Sequence, residues 1–243
     1  MNEHPIALVT GANRGLGFEV CRQLAGRGYQ VLLSGRDLAK AEAAAAEIAN
    51  GVTSVHALAL DAGNEVSVRM AAAIIAERFG RLDVLVNNAG GNFDTSNLTT
   101  TVAMDYVRET LEMNLIGAWR VIQAMLPLLA KSSHARIVNV SSGAGAFESP
   151  IPFGLQRMGG AAPAYSISKT ALTALTVKLA TELKDSGILI NAACPGWTAT
   201  HPGGEAQGAR PVADGAASIV WAATLPDDGP SGGFFRDGQR LPW

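Results

Sequence analysis

Short apolar runs recur along the chain, separated by helix-length segments, and this alternation limits the available folds more than any other feature. The runs are IALV (6–9), VLL (31–33), VHALAL (55–60), VLV (84–86), IVNV (137–140), ILINAA (188–193) and a weaker GGFF (232–235). Between them, Gly15 to Ala25, the Ala-rich Leu38 to Ala49, and segments 65–79, 102–130, 164–185 and 212–224 carry helical spacing. Strands that are apolar throughout are buried on both faces. The pattern predicts an α/β fold: a doubly wound parallel sheet of about seven strands, helices on both faces, in one domain spanning 1–243. In such sheets ligands sit beyond the carboxyl ends of the strands, so the residues just after each run carry the functional reading.

The first run leads into TGANRGLG, Thr10 to Gly17, whose glycines are spaced G-x-x-x-G-x-G. This is neither the G-x-G-x-x-G fingerprint nor a P-loop. Its place between strand and helix still suits a phosphate: the first Gly turns the chain, and the later ones let backbone approach a pyrophosphate at the helix start. Thr10, Gly11, Asn13, Arg14, Gly15, Leu16 and Gly17 are therefore candidate cofactor-binding residues of a Rossmann-type unit. After the second run, Gly35 and Arg36 stand where an NAD-binding unit places an acid. A guanidinium pairs with a 2′-phosphate that a carboxylate would repel, so Arg36 with Arg14 argues for NADP. The plainer alternative is two solvated surface arginines. Asp61, after the third run, either accepts from an adenine amino group or caps the helix beginning near Asn64. Asn87, Ala89 and Gly90, from NNAG after the fourth run, suit backbone passing close to a ribose. The fifth run ends in Ser141-Ser142-Gly143 and the sixth in PGWTAT, which adds Pro195, Gly196, Thr198 and Thr200 to the cofactor candidates.

In AYSISK, Tyr165 and Lys169 are four residues apart and share a helix face. A phenol with a reference pKa of about 10 is a poor acid at neutral pH. A neighbouring ammonium favours the phenolate and is expected to lower that value.

Together these residues resemble the short-chain dehydrogenase/reductase family over essentially the whole chain. The likeness rests on TGANRGLG, NNAG, Asn114 in the following helix, Ser142 in NVSSG, Tyr165 with Lys169, and PGWTAT. NAACPGW (191–197) and the ending GGFFRDGQRLPW look more specifically like carbonyl reductases. The resemblance implies that Tyr165 is the acid-base residue, that Lys169 lowers its pKa and holds the nicotinamide ribose, and that Ser142 binds the substrate oxygen. It also implies that Asn114 holds a water linking Lys169 to solvent. The cofactor would be NADP, and the substrate a small carbonyl compound or alcohol. Ser142 and Tyr165 lie 23 residues apart, farther than the family's minimal pattern. The extra segment, 143–163, is expected to form an active-site insertion carrying Phe147, Ile151, Phe153, Leu155 and Met158. With Trp197, Phe147 suggests a pocket for a hydrophobic or aromatic carbonyl compound; ordinary packing is the alternative for each. Residues 199–211 form a short substrate loop. The insertion precedes the helix that commonly makes the family's dimer interface, which leaves a dimer, a tetramer and a monomer all open.

Net charge of −2 with scattered arginines gives no case for nucleic acid. No apolar run is long enough to span a membrane. Cys21 and Cys194 stand far apart and read as buried thiols of a reducing cytoplasm. His4, His56 and His134 lack metal-ligand spacing, so no metal is expected. These readings favour an NADPH-dependent carbonyl reductase or alcohol dehydrogenase. Alternatives are a dedicated 3-oxoacyl reductase, for which Arg157 and Arg210 are the only candidate carrier contacts, and a nucleotide-sensing regulator.

Overall fold

The structure is a computed structural model and describes residues 4–49, 55–91, 93, 95–148, 154–155 and 160–243. Eight strands form one sheet in the order β3-β2-β1-β4-β5-β6-β7-β8. They are β1 (Ile6–Val9), β2 (Gln30–Gly35), β3 (Val55–Ala59), β4 (Val84–Asn87), β5 (Arg136–Val140), β6 (Leu189–Ala193), β7 (Phe234–Arg236) and β8 (Gln239–Arg240). The first seven are parallel, as the apolar runs predict. β8 is an additional two-residue strand, antiparallel to β7. Both of its residues are exposed, so it offers no apolar period to read.

The helices are α1 (Gly15–Ala25), α2 (Leu38–Ala49), α3 (Glu65–Phe79), α4 (Met104–Leu111), α5 (Gly117–Leu129), α6 (Pro163–Glu182) and α7 (Val212–Ala223). Alternate strand residues feed two separate cores. Leu32, Leu8, Leu85, Ile137 and Ile190 lie in one row across the sheet. They pack against Val68 and Ile75 of α3, Ile122 and Met125 of α5, and Leu172 and Leu175 of α6. On the opposite face, Val9, Val31, Val86 and Val138 meet Val20 and Leu24 of α1, Ile48 of α2, and Ile219 of α7. Each fully buried aliphatic side chain contributes about 1.5–3 kcal/mol of transfer free energy, so both layers are needed to hold the sheet.

Helix boundaries follow local chemistry. Asn64 caps α3 by accepting the Ser67 amide, and Gly80 ends it in the left-handed region at φ 74°. Pro163 occupies the first turn of α6, where its missing N–H costs nothing. The segment 102–130 is not one helix. A π-turn, Glu112–Ile116, separates α4 from α5, with the Gly117 amide bonded to the Glu112 carbonyl. The extra residue in that turn re-aims a side chain without disturbing the apolar pattern on either side.

The amino end of the sheet is knitted by charge. Buried Asp83 accepts from the Ile6 amide at 2.7 Å and from Arg81. Buried Arg136 donates to the Leu225 and Ala135 carbonyls and to Asp227. These bonds join the starts of β1, β4 and β5 to the chain beyond α7. Among the described residues, no helix is long and apolar enough to cross a membrane.

Candidate active site

The strand order reverses direction between β1 and β4, the crevice where ligands of such sheets bind. The glycine loop and NNAG meet there. Thr10 is buried, and its Oγ1 accepts the amides of Asn88 and Ala89, each at 3.0 Å. Asn88 Nδ2 donates to the carbonyls of Thr10 and Gly11 at 2.9 and 3.0 Å. A Cβ on Gly11 would stand 2.9 Å from Ala89 Cα, and one on Gly17 would stand 2.4 Å from Asn88 Nδ2. Glycine is required at both positions for the two loops to touch. The second Asn of NNAG, Asn88, to which the sequence pattern alone assigns no role, is thus the residue that ties the two loops together. Asn87 points inward, where its Nδ2 donates to Asn139 at 2.9 Å in a buried pair. Exposure rises along the motif, from buried Asn87 to exposed Gly90.

The first turn of α1 has no side-chain cap at Arg14. Its backbone N–H groups remain as donors at the positive end of the helix dipole. Gly15, at φ 60°, faces Thr200, whose Cγ2 would lie 3.8 Å from an added Cβ. The PGWTAT segment thus comes down on the glycine loop. That segment is pinned at its base: Thr198 bridges Arg210, and the Thr198 hydroxyl donates to the carbonyl of Pro195 or Gly196, each at 3.2 Å. Arg14 and Arg36 are both exposed, and neither has an ion-pair partner among the described residues. Asp37, the nearest acid, pairs with Lys40 at 3.0 Å. Asn13 lies against Gly35. Leu16 packs on the core. Asp61 is exposed and accepts the Gly63 amide, while the capping role falls to Asn64.

The four candidate catalytic side chains converge from three elements. Ser142 follows β5 and accepts the Ala144 amide, closing the short 3₁₀ turn Gly143–Gly145. Its hydroxyl faces that of Tyr165 and favours the phenolate. Their approach depends on Gly145, where a Cβ would meet the Thr170 amide nitrogen at 2.6 Å. Thr170 Oγ1 in turn donates to the Gly145 carbonyl at 2.7 Å. Lys169 is buried, its Nζ donates to the Val140 carbonyl at 2.8 Å, and it stands 5.7 Å from the centre of the Tyr165 ring. Asn114 sits in the π-turn. Its Oδ1 accepts the Gly91 amide, and its Nδ2 donates to the Gly91 carbonyl and to Ser168 Oγ. Ser168 passes the chain on, donating to the Tyr165 carbonyl at 2.7 Å. Neither Ser168 nor Gly145 carries a sequence signature of its role: Gly145 acts by letting backbone come close, and Ser168 by bridging Asn114 to the Tyr165 carbonyl.

The electrostatics differ from the expectation for a Tyr–Lys pair. Burial pushes the Tyr165 phenol up to about 12, against the lowering effect of the nearby Ser142 hydroxyl. Burial also pulls Lys169 down to about 8. Desolvation disfavours both charged forms, and the ammonium lies over the ring face rather than at the hydroxyl.

Phe147 and Trp197 are exposed in the segments after β5 and β6. Leu155 is half-buried, and its amide donates to the Ala146 carbonyl, closing the base of the insertion. Ile151, Phe153, Arg157 and Met158 lie outside the described residues. A cleft of about 750 Å³ opens at the other end of the sheet, lined by Tyr29, Arg81, Asp83, Lys131 and Arg136. It contains none of the motif residues, and its carboxylates Asp83 and Asp227 are already paired.

The chain belongs to the short-chain dehydrogenase family, whose sequence model matches residues 5–209, and is an oxidoreductase of that family. It is 36% identical over 228 residues to the short-chain dehydrogenase anuI of Penicillium roqueforti, covering 90% of this chain and 88% of that protein. It is 33% identical over 279 positions to carbonyl reductase [NADPH] 3 of Rattus norvegicus, covering 98% of each. Those 279 positions exceed the 243 residues present here, so the rat protein carries segments without counterpart in this chain. The fold superposes on the crystal structure of NADPH-bound carbonyl reductase from chicken fatty liver with a TM-score of 0.86 and 27% identity, covering 99% of this chain and 100% of that one.

Proposed function

We propose that the protein is an NADPH-dependent reductase of hydrophobic or aromatic aldehydes and ketones that also runs in reverse on the corresponding alcohols. The observation that carries this reading is the convergence of Ser142, Tyr165 and buried Lys169 at the carboxyl end of the sheet, where Gly145 lets the Ser142 turn meet α6 and Lys169 Nζ donates to the Val140 carbonyl. The residues fit a dinucleotide. The uncapped start of α1 presents N–H donors to a pyrophosphate, beside a glycine loop held against the NNAG turn. Exposed Arg14 and Arg36 suit the extra phosphate of NADP, as do the carbonyl reductase relatives described as NADPH enzymes. Lys169 would hold the nicotinamide ribose, and Gly90, Pro195 and Gly196 would border it. When bound, the cofactor supplies the hydride.

The protein's own residues orient the substrate and supply the proton. The Ser142 and Tyr165 hydroxyls donate to the carbonyl oxygen, and Tyr165 transfers its proton as that oxygen gains charge. A phenol held at about 12 is fully protonated at neutral pH, the form needed to give a proton in the reductive direction. Asn114, fixed through Gly91 and Ser168, keeps the loop after β4 aligned with α6. The two thiols, Cys21 and Cys194, are unpaired and buried, in keeping with a reducing cytoplasm. A dedicated acyl-carrier reductase gains no support: Arg210, one of its two candidate contacts, is engaged by Asp237 at 3.0 Å.

A panel of aldehydes, ketones and diketones assayed for NADPH oxidation, with NADH as control, tests the reading. Tyr165→Phe should lower turnover about 10²–10⁴-fold while NADPH binding persists. Retained turnover in that variant overturns the acid-base assignment.

A further inference from the structure

Phe93 received no role from the sequence, yet it touches the proposed proton donor. Its ring meets that of Tyr165 edge-on, with centroids 5.0 Å apart and planes at 84°. Phe93 is nonetheless 51% exposed. A large apolar side chain that contacts a catalytic group and still keeps half its surface open offers that surface to a ligand. Farther along the same loop, the chain is tied to the start of α6. Leu98 forms an antiparallel bridge with Ala161, and Thr99 Oγ1 donates to the Gly160 carbonyl at 3.3 Å. Ala162, next in the chain, is left-handed at φ 52°, a conformation costly for a residue with a Cβ, and Pro163 then opens α6. The loop after β4 is thereby stapled to the start of the helix that bears Tyr165. The Phe93 ring is set against Tyr165 by their edge-on contact, close to where the loop after β4 meets the start of α6.

We propose that Phe93 is a specificity-determining residue: its open face is the surface on which a flat ring of the substrate lies when the carbonyl oxygen is at Ser142 and Tyr165. This rests on the reductase reading above and narrows it to carbonyl compounds with a planar ring next to the reacting carbon. The right-angle setting of the two rings matters. A substrate ring stacked on Phe93 stands upright against the phenol, leaving the Tyr165 hydroxyl free for the carbonyl oxygen. Phe147 and Trp197 are likewise exposed, in the segments after the neighbouring strands β5 and β6.

The test compares 1-phenyl-1,2-propanedione with 2,3-butanedione, which share a diketone but differ in the ring. For wild type, Phe93→Ala and Phe93→Tyr, kcat and KM are measured on both with NADPH. In Phe93→Ala the loss of kcat/KM on the aryl diketone should exceed that on butanedione by about tenfold, mostly through KM, because one aromatic contact has gone. Phe93→Tyr should keep the wild-type ratio. Equal losses on both substrates would mean that Phe93 merely steadies Tyr165, and would overturn the proposal, as would an unchanged ratio in Phe93→Ala. Wild-type enzyme that reduces neither diketone overturns the reductase reading and this inference with it. A turning-over enzyme with an unmoved ratio overturns the inference alone.

Discussion

A methyl group added at Gly145 would stand 2.6 Å from the Thr170 amide nitrogen, 2.9 Å from the Lys169 carbonyl carbon and 3.0 Å from Lys169 Cβ. The two closest atoms are backbone in the middle of α6 and cannot swing aside. Ordinary non-bonded contact begins at about 3.5 Å, so in Gly145→Ala the turn and the helix must part by roughly 0.5–1 Å. Ser142 rides on one side of that contact, and Tyr165 and Lys169 on the other. Overpacking of this kind costs about 1–3 kcal/mol of stability. The effect on chemistry should be larger in proportion, because a displacement near 1 Å between reacting groups costs about 100-fold in rate. NADPH affinity should fall less than kcat, since the glycine loop and Thr200 are outside the contact and only Lys169 of the cofactor contacts is touched. Three measurements decide it: urea denaturation, NADPH fluorescence titration, and kcat on a ketone that the wild type reduces. A variant with wild-type kcat refutes the reasoning even if it is destabilised, since the turn would then relax without separating the hydroxyls.

Arg36→Asp should weaken NADPH binding roughly 10–100-fold and shift preference towards NADH, through lost pairing and added repulsion; titration with both cofactors reads this, and an unmoved preference assigns the 2′-phosphate elsewhere. Ser168→Ala removes the acceptor of Asn114 Nδ2 and the donor to the Tyr165 carbonyl. It should lower kcat about tenfold with KM little changed, a split that steady-state kinetics resolves. The buried lysine also predicts a pH effect on folding. Its folded pKa, about 8, lies below its ordinary 10.5. The unfolded chain therefore holds the extra proton between those values, and stability rises with pH across that window. Tyr165 acts in the opposite sense from 10 to about 12. Wild type should thus gain stability relative to Lys169→Met as pH rises from about 8 to 10 in denaturant titrations; no relative gain would place Lys169 in a better-solvated setting.

The sheet could be read because its strands are apolar on both faces, and the row Leu32, Leu8, Leu85, Ile137 and Ile190 is the direct outcome. The π-turn at Asn114 could not, since inserting one residue into a helical turn leaves the flanking periodicity intact. α6 hid its orientation for another reason. Thr173 and Thr176 turn towards β5, where they bond Ser141 and Asn139, so its buried face is partly polar. Motif residues with distinctive chemistry, such as Tyr165 and Lys169, announced themselves. Residues that work by letting backbone come close, such as Gly145, or by bridging two motifs, as Asn88 and Ser168 do, have no signature beyond their identity. The direction of the Tyr165 shift depends on burial and on where the ammonium points, and spacing in a helix fixes neither.

The ion pairs of Asp83 and Arg136 tie β1, β4 and β5 together where the chain enters each strand. Register is thereby anchored at one end, before any residue of the crevice is reached. The opposite ends inherit a frame they do not have to maintain. Loops there can lengthen, shorten or change character without letting a strand slip, so new chemistry can be grafted onto this sheet while its alignment stays put.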